Sequence, residues 1–219
     1  MEDILLSVYV VLGAGLIVAG IFLLTHRAAK RREAALSNYC AAHGYRLSIT
    51  KEPTAREIVL ESDNWRLSSS MRALQNSAEA GSSDWRRETA FVCMDPNPLR
   101  KTFALRLSKG SSDLDALPPW LREQALSAMR LLLGPDMAGL SVVRTAFCEG
   151  GRSGVVFEAT AHAADDALEQ LKPTLLAWRG GLPLYFECSP GQIRLRLPDV
   201  AARSAEEADA LLQIGLILK

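Results

Sequence analysis

The sequence lacks the residue patterns that usually announce chemistry. It has three histidines, His26, His43 and His162, and four cysteines, Cys40, Cys93, Cys148 and Cys188, with no pair in CxxC spacing. Neither a zinc site nor a paired-thiol redox centre is expected from such scatter. The glycine-rich segment Glu149–Gly154 matches neither GxGxxG nor GxxxxGK[ST], and it joins two strand-like runs instead of opening a helix. A phosphate cradle needs backbone N–H groups at a helix start, so no nucleotide site is expected there. Ser153 is not in a GxSxG elbow, since Gly154 follows it directly. Net charge is zero and the sequence pI is about 6.8, without the basic excess of a nucleic-acid-binding protein. We therefore expect no catalytic, cofactor or metal residues of a recognisable motif, and no nucleic-acid partner.

The sequence does contain one long uncharged run, Ile4–Leu24. Its 21 residues, at ~1.5 Å per residue, make a helix of roughly 31 Å, the thickness of a bilayer's hydrocarbon core. A cleaved signal peptide would be shorter in its apolar part and basic at its start. Here Glu2 and Asp3 precede the run, and Arg27, Lys30, Arg31 and Arg32 follow it. The reading is a single transmembrane signal anchor over 1–25. By the positive-inside rule its N-terminus lies outside and the remaining chain is cytoplasmic, at the inner membrane. The basic cluster is also suited to anionic headgroups. Gly15 and Ala19 form a small-xxx-small pair through which two such helices can approach, giving a homo-oligomer.

From 26 to 44 the spacing of Leu36, Tyr39, Cys40 and His43 predicts a juxtamembrane helix stopped by Gly44. No proline or glycine separates it from the anchor, so one helix or a bent pair should carry the domain close to the membrane. The four cysteines should be reduced in the cytoplasm, and a free cysteine among apolar neighbours is usually a small buried hydrophobe.

Residues 45–219 read as a soluble α+β domain with a mainly antiparallel sheet and about three helices. Strands are expected at Tyr45–Ile49, Arg56–Glu61, Trp65–Met71, Asp84–Met94 and Thr102–Ser108, with 74–83 and 95–98 as connections. Phe103, Leu105 and Leu107 alternate with polar or small neighbours, the mark of a half-buried strand. A helix opening at Pro118–Pro119 should bury Leu121, Ala125, Ala128, Met129 and Leu132. Leu140–Phe147 and Val155–Ala161 form a strand pair. Asp165–Trp178 is helical, with Pro173 expected to kink or divide it. Leu182–Cys188 and Gln192–Leu197 flank the turn Ser189–Gly191. Ser204 and Glu207 form a capping box for a last helix whose stripe is Ala208, Leu211, Leu212 and Gly215 or Leu218. Two subdomains divided near 134–139 and one continuous sheet are both compatible with this order.

A few residues stand out as candidates. His162 with Asp165 and Asp166 is a His-x-x-Asp-Asp cluster that could hold a metal or act as a base, although acids at a helix start usually complement its dipole. Trp65 and Trp85 could pair across strands or flank a groove. Arg106, Arg144, Arg194 and Arg196 would make an anion-binding or acidic-partner surface if they share one face of a sheet. The reading that fits the whole is a membrane-anchored cytoplasmic interaction, adaptor or sensory module with a protein partner. The alternative is a membrane-surface enzyme assembled from His162, Asp165 and the Glu149–Gly154 loop. The two differ in what they should show: an enzyme needs a pocket with convergent polar groups, an adaptor an open face or edge.

Overall fold

A computed structural model describes residues 2–73, 85–94, 101–110, 117–131, 133, 137, 139–202 and 204–217, with side chains outside 2–12, 131 and 217. The connections expected at 74–83 and 95–98, and the helix stop at Gly134–Pro135, lie outside those residues.

The described residues form an α+β domain with four helices and one antiparallel sheet of nine strands. In chain order the elements are α1 (Glu2–His43), β1 (Arg46–Glu52), β2 (Ala55–Glu61), β3 (Trp65–Ala73), β4 (Trp85–Cys93) and β5 (Phe103–Lys109). There follow α2 (Pro119–Leu131), β6 (Val142–Glu149), β7 (Arg152–Glu158), α3 (Asp165–Ala177), β8 (Leu184–Ser189), β9 (Gln192–Pro198) and α4 (Ala205–Ile217). The spatial order is β1-β2-β3-β4-β9-β8-β5-β7-β6. The β8–β9 hairpin thus sits in the middle, with β9 against β4 and β8 against β5.

Period-two patterning explains the main core. Phe103, Leu105 and Leu107 of β5 and Ile193, Leu195 and Leu197 of β9 all point to one face, where each is nearly or fully buried. The same face carries Leu60, Leu67, Phe91 and Phe186, and α3, α4 and the last turns of α1 lie over it. Burying each such Leu or Phe stabilises the fold by about 2 kcal/mol. Buried hydroxyls on this face are satisfied by the chain entering α4: Thr89 Oγ1 donates to Val200 O (2.9 Å) and Ser69 Oγ to Ala202 O (2.9 Å). Ser204 Oγ then accepts the Glu207 amide (3.2 Å), half of the expected capping box. Ala208, Leu211 and Leu212 are buried as the stripe requires.

The stretch 26–44 is no tether. α1 is a single helix of 42 residues, and it buries Leu36 and Cys40 in the main core. It runs antiparallel to β1. Tyr45 stands beside Tyr39 and edge-on to Trp65 at the helix end, while Glu33, ten residues earlier, binds Lys51 (2.7 Å) and Arg56 (2.9 Å). The hydrogen bond from Lys51, helped by Arg56 and opposed by partial burial, holds the Glu33 carboxyl below its usual range. Tyr39 donates to Asp209 of α4 (2.7 Å). Among the described residues no helix is long and apolar enough to cross a membrane. Of the expected span the described side chains run from Gly13 to Leu24; those of Ile4 to Leu12 lie outside them.

Two local expectations change. Pro173 neither divides α3 nor ends it: Leu168, Leu171 and Leu175 fix both sides of the proline to the core, which offsets the one lost backbone bond. The face of α2 is also shifted. Leu126 and Met129 turn inward, whereas Leu121 and Ala128 are exposed; Leu132 lies outside the described residues. The reason is what α2 covers. It lies on the opposite side of the sheet from the other three helices, over a small second core of Ala104, Val155 and Phe157. β5 and β7 are therefore buried on both faces, which alternation alone did not reveal.

Candidate functional site

α2 covers only the β5–β7 end of the second face. From β1 to β8, among the described residues, no helix lies over it. Its side chains are the alternates of the core set and are mostly charged or small. Arg46 pairs with Glu61 (3.5 Å), and Arg66 with Glu57 (3.8 Å). Near the centre Glu187, almost wholly buried, takes Arg196 (2.8 Å) and Arg194 (3.8 Å). Arg106 on β5 lies beside Tyr185, donating from Nε to the phenolic oxygen at 3.3 Å with its guanidinium 6.0 Å from the ring centre.

This face is hollowed where its residues are short. A cavity of about 410 Å³ has Ser68, Ser70 and Ala90 as its floor and Glu57, Arg72, Arg86 and Glu88 around it. A hollow of about 300 Å³ continues it toward β1 past Arg72, and one of about 230 Å³ continues it past Arg86 to Tyr185 and Arg196. The result is a polar groove running across β1–β4 to β9 and β8. Such a groove can bind a polar ligand or a charged segment through side chains of both signs. A separate cavity of about 340 Å³ on the core side, between Trp178, Val200 and Leu211, is apolar.

Three of the four singled-out arginines share the second face, Arg194 and Arg196 on its open part and Arg106 on β5 beside it. Arg144 does not. It pairs with Val156, whose side chain is in the main core, so it points to the α3 side. There it binds Glu158 (2.6 Å) and Asp165. Glu158 is fully buried and also accepts the amides of His162 (3.1 Å) and Ala164 (3.0 Å). Burial opposes ionisation of Glu158, but Arg144 and the two amides outweigh it and hold the carboxyl below the usual range. The Asp165 carboxyl is lowered likewise: desolvation opposes its ionisation, and His162 and Arg144 together outweigh it.

The His162–Asp165 pair exists, at 2.9 Å, yet its partners make it a clasp that ties the β7–α3 turn to β6. His162 has φ of 66°, a left-handed conformation fixed by its amide on Glu158. Among the described residues no group of three metal-ligating side chains occurs. The Glu149–Gly154 segment lies at the other end of β7, about 20 Å from Glu158 over seven residues of strand. It is a two-glycine turn, Gly150 and Gly151 having φ of 62° and 71°. Ser153 is buried and hydrogen-bonded to Ser108 (3.0 Å). The parts suggested for an enzyme site are therefore not brought together.

The tryptophans do not pair either. Trp65 faces Cys93 and Trp85 faces Ala73, at opposite ends of the β3–β4 ladder. Trp65 is a core residue, edge-to-face with Tyr45 and tilted against Phe91. His26 and His43 lie on α1 against Phe22 and Tyr39. Cys40, Cys93 and Cys188 are buried and Cys148 is exposed; burial raises the Cys40 thiol pKa. The charged hollow at Arg72 and Arg86 escaped sequence reading, because its residues come from three strands whose register the sequence does not give.

No protein-family model matches the chain, and no curated protein matches it in sequence. Among solved structures, the crystal structure of the mycobacterial trehalose monomycolate transport factor A, TtfA, aligns with 88% of this chain and 97% of its own at a TM-score of 0.40 and 8% identity. A likeness of that size fixes neither fold nor function.

Proposed function

We propose that this protein is a single-pass, membrane-anchored binding module whose cytoplasmic domain presents the open sheet face to a protein or ligand at the inner membrane surface. Ile4–Leu24 is its bilayer contact, and Gly15 and Ala19 give it a route to self-association. One observation carries the reading. α1 continues without a break from the apolar run into the core, where Leu36 and Cys40 are buried. Anchor and domain are then one rigid body, which suits a scaffold or sensor that must hold a surface at fixed height. The groove on the face away from α3 and α4 supports binding over catalysis, since the pair His162–Asp165 is engaged in holding its own turn.

Two measurements test this. Alkaline carbonate extraction of membranes should leave the full chain in the pellet; release into the supernatant would end the anchoring reading. Cys148 is the one exposed thiol. An impermeant maleimide should reach it only after the cells are opened. Labelling of intact cells from outside would reverse the orientation.

A further inference from the structure

We propose that the hollow at Arg72, Arg86, Glu57 and Glu88 binds a zwitterion in which a phosphate is joined by a short link to a primary ammonium, the chemistry of a phosphoethanolamine headgroup. The lipid as its source rests on the membrane placement proposed above.

Arg72 and Arg86 are directly opposite each other on β3 and β4. Like charges so placed repel. Among the described residues neither side chain makes a hydrogen bond or an ion pair. A phosphate between them would offset the repulsion and match both guanidinium forks. The next row on the same face is Glu57, Ser70 and Glu88, side by side on β2, β3 and β4. Rows two residues apart are about 7 Å apart along the strand. Side chains leaning inward let one ligand touch both rows. The floor of the hollow is Ser70 within the glutamate row and Ser68 and Ala90 in the row beyond it, leaving room and two hydroxyls.

The charge order selects the ligand. A simple anion would meet the carboxylates, and a simple cation the arginines. Arg66 only partly occupies Glu57, at 3.8 Å. A ligand carrying both signs is met favourably at both ends. A primary ammonium donates hydrogen bonds to Glu57 and Glu88; a trimethylated one has none to give.

The order also fits approach from a bilayer. Arg72 follows Met71, which stands opposite Arg56, and Arg56 binds Glu33 of α1. Leu24, the end of the apolar run, is nine residues before Glu33, about 14 Å along a helix. The headgroup layer occupies roughly 5–8 Å of that, so the level of Glu33 lies roughly 6–9 Å beyond it and a lipid reaches the hollow only when drawn part-way out of the bilayer. The arginine row is thus nearer the membrane and the glutamate row farther, as phosphate and ammonium are ordered on an upright headgroup.

The test is calorimetric titration of the full chain in detergent with phosphoethanolamine, inorganic phosphate and ethanolamine. Phosphoethanolamine should bind at least about tenfold tighter than either half. Arg86→Ser should weaken it about tenfold. Glu88→Gln should weaken it too, while phosphate binds as before or more tightly. Equal binding of phosphate and phosphoethanolamine, no binding, or indifference to both substitutions overturns the site. A second arm places the chain in phosphatidylcholine nanodiscs containing phosphatidylethanolamine and identifies the retained lipid by native mass spectrometry. Retention of phosphatidylethanolamine, lost in Arg86→Ser, supports the lipid source. Binding of free phosphoethanolamine without lipid retention overturns that source and supports a soluble ligand. Failure of the chain to enter nanodiscs overturns the anchor, while the titration still decides the site.

Discussion

Tyr39 on α1 and Asp209 on α4 are 170 residues apart in sequence and 2.7 Å apart in space. This bond joins the helix that leaves the domain to the last helix of the chain. Burial, with Asp209 beside it, raises the Tyr39 hydroxyl pKa well above that of a free tyrosine, so the proton stays in the bond at any ordinary pH.

Tyr39→Phe should therefore cost about 1–2 kcal/mol, the worth of one hydrogen bond to a charged acceptor in a partly buried place. Denaturant unfolding of the full chain in detergent measures it. No shift of the midpoint would mean that the α1–α4 contact is held by packing alone.

Leu36→Ala should cost more, about 2–4 kcal/mol, because it opens a cavity under α1. Hydrogen exchange should then speed up first in residues 33–43. Exchange unchanged there would contradict a rigid post.

Gly215→Ala should destabilise, although alanine is the better helix former. A Cβ at 215 would stand 2.1 Å from the ring of Phe91, which is fully buried and cannot move aside. Overpacking of about 1–3 kcal/mol outweighs the helix gain of up to about 1 kcal/mol. A higher melting temperature in the variant would show that α4 can shift outward at little cost.

The Arg144–Glu158 clasp makes stability depend on acid. The folded Glu158 pKa is lowered, so its contribution is present in full above the ordinary carboxylate value of about 4.3 and is lost as pH falls through the folded value. Glu158→Gln should cost about 1–3 kcal/mol at pH 7, since Arg144 keeps Asp165 but loses its buried carboxylate, and the His162 and Ala164 amides lose a charged acceptor. The gap between variant and wild type should narrow below about pH 4. A constant gap down to pH 2 would remove Glu158 ionisation as its cause.

In native protein a maleimide should modify one thiol quickly, that of Cys148, and reach Cys40, Cys93 and Cys188 only on unfolding. Fast modification of a second thiol would mean that one of the buried faces opens readily.

Local signals were legible where a single strand or helix decides the outcome. The alternation in β5 and β9 and the Ser204 cap could be read directly, and so could the helical character of α1, although one helix and a bent pair were both compatible with it. Faces across strands could not. Arg144 looked like Arg106, Arg194 and Arg196, each an arginine in a strand, but only the pairing of β6 with β7, with its irregularity between Thr145 and Phe147, decides which side it takes. The shifted face of α2 has the same origin: the helix covers Ala104, Val155 and Phe157, and nothing in the sequence marks these as facing away from the main core. The hollow at Arg72 and Arg86 needed the register of three strands at once.

The central position of the last hairpin has a consequence for how the chain is made. β4 and β5 leave the ribosome early, yet each waits for its neighbour, β9 or β8, to be synthesised. Between Cys93 and Gln192 lie about 100 residues, or about 5–20 s of translation. During that interval two sheet borders, one of them carrying Phe91, have no partner strand. The nascent polypeptide must be shielded there, and a ribosome that stalls before residue 184 releases two half-sheets that cannot join.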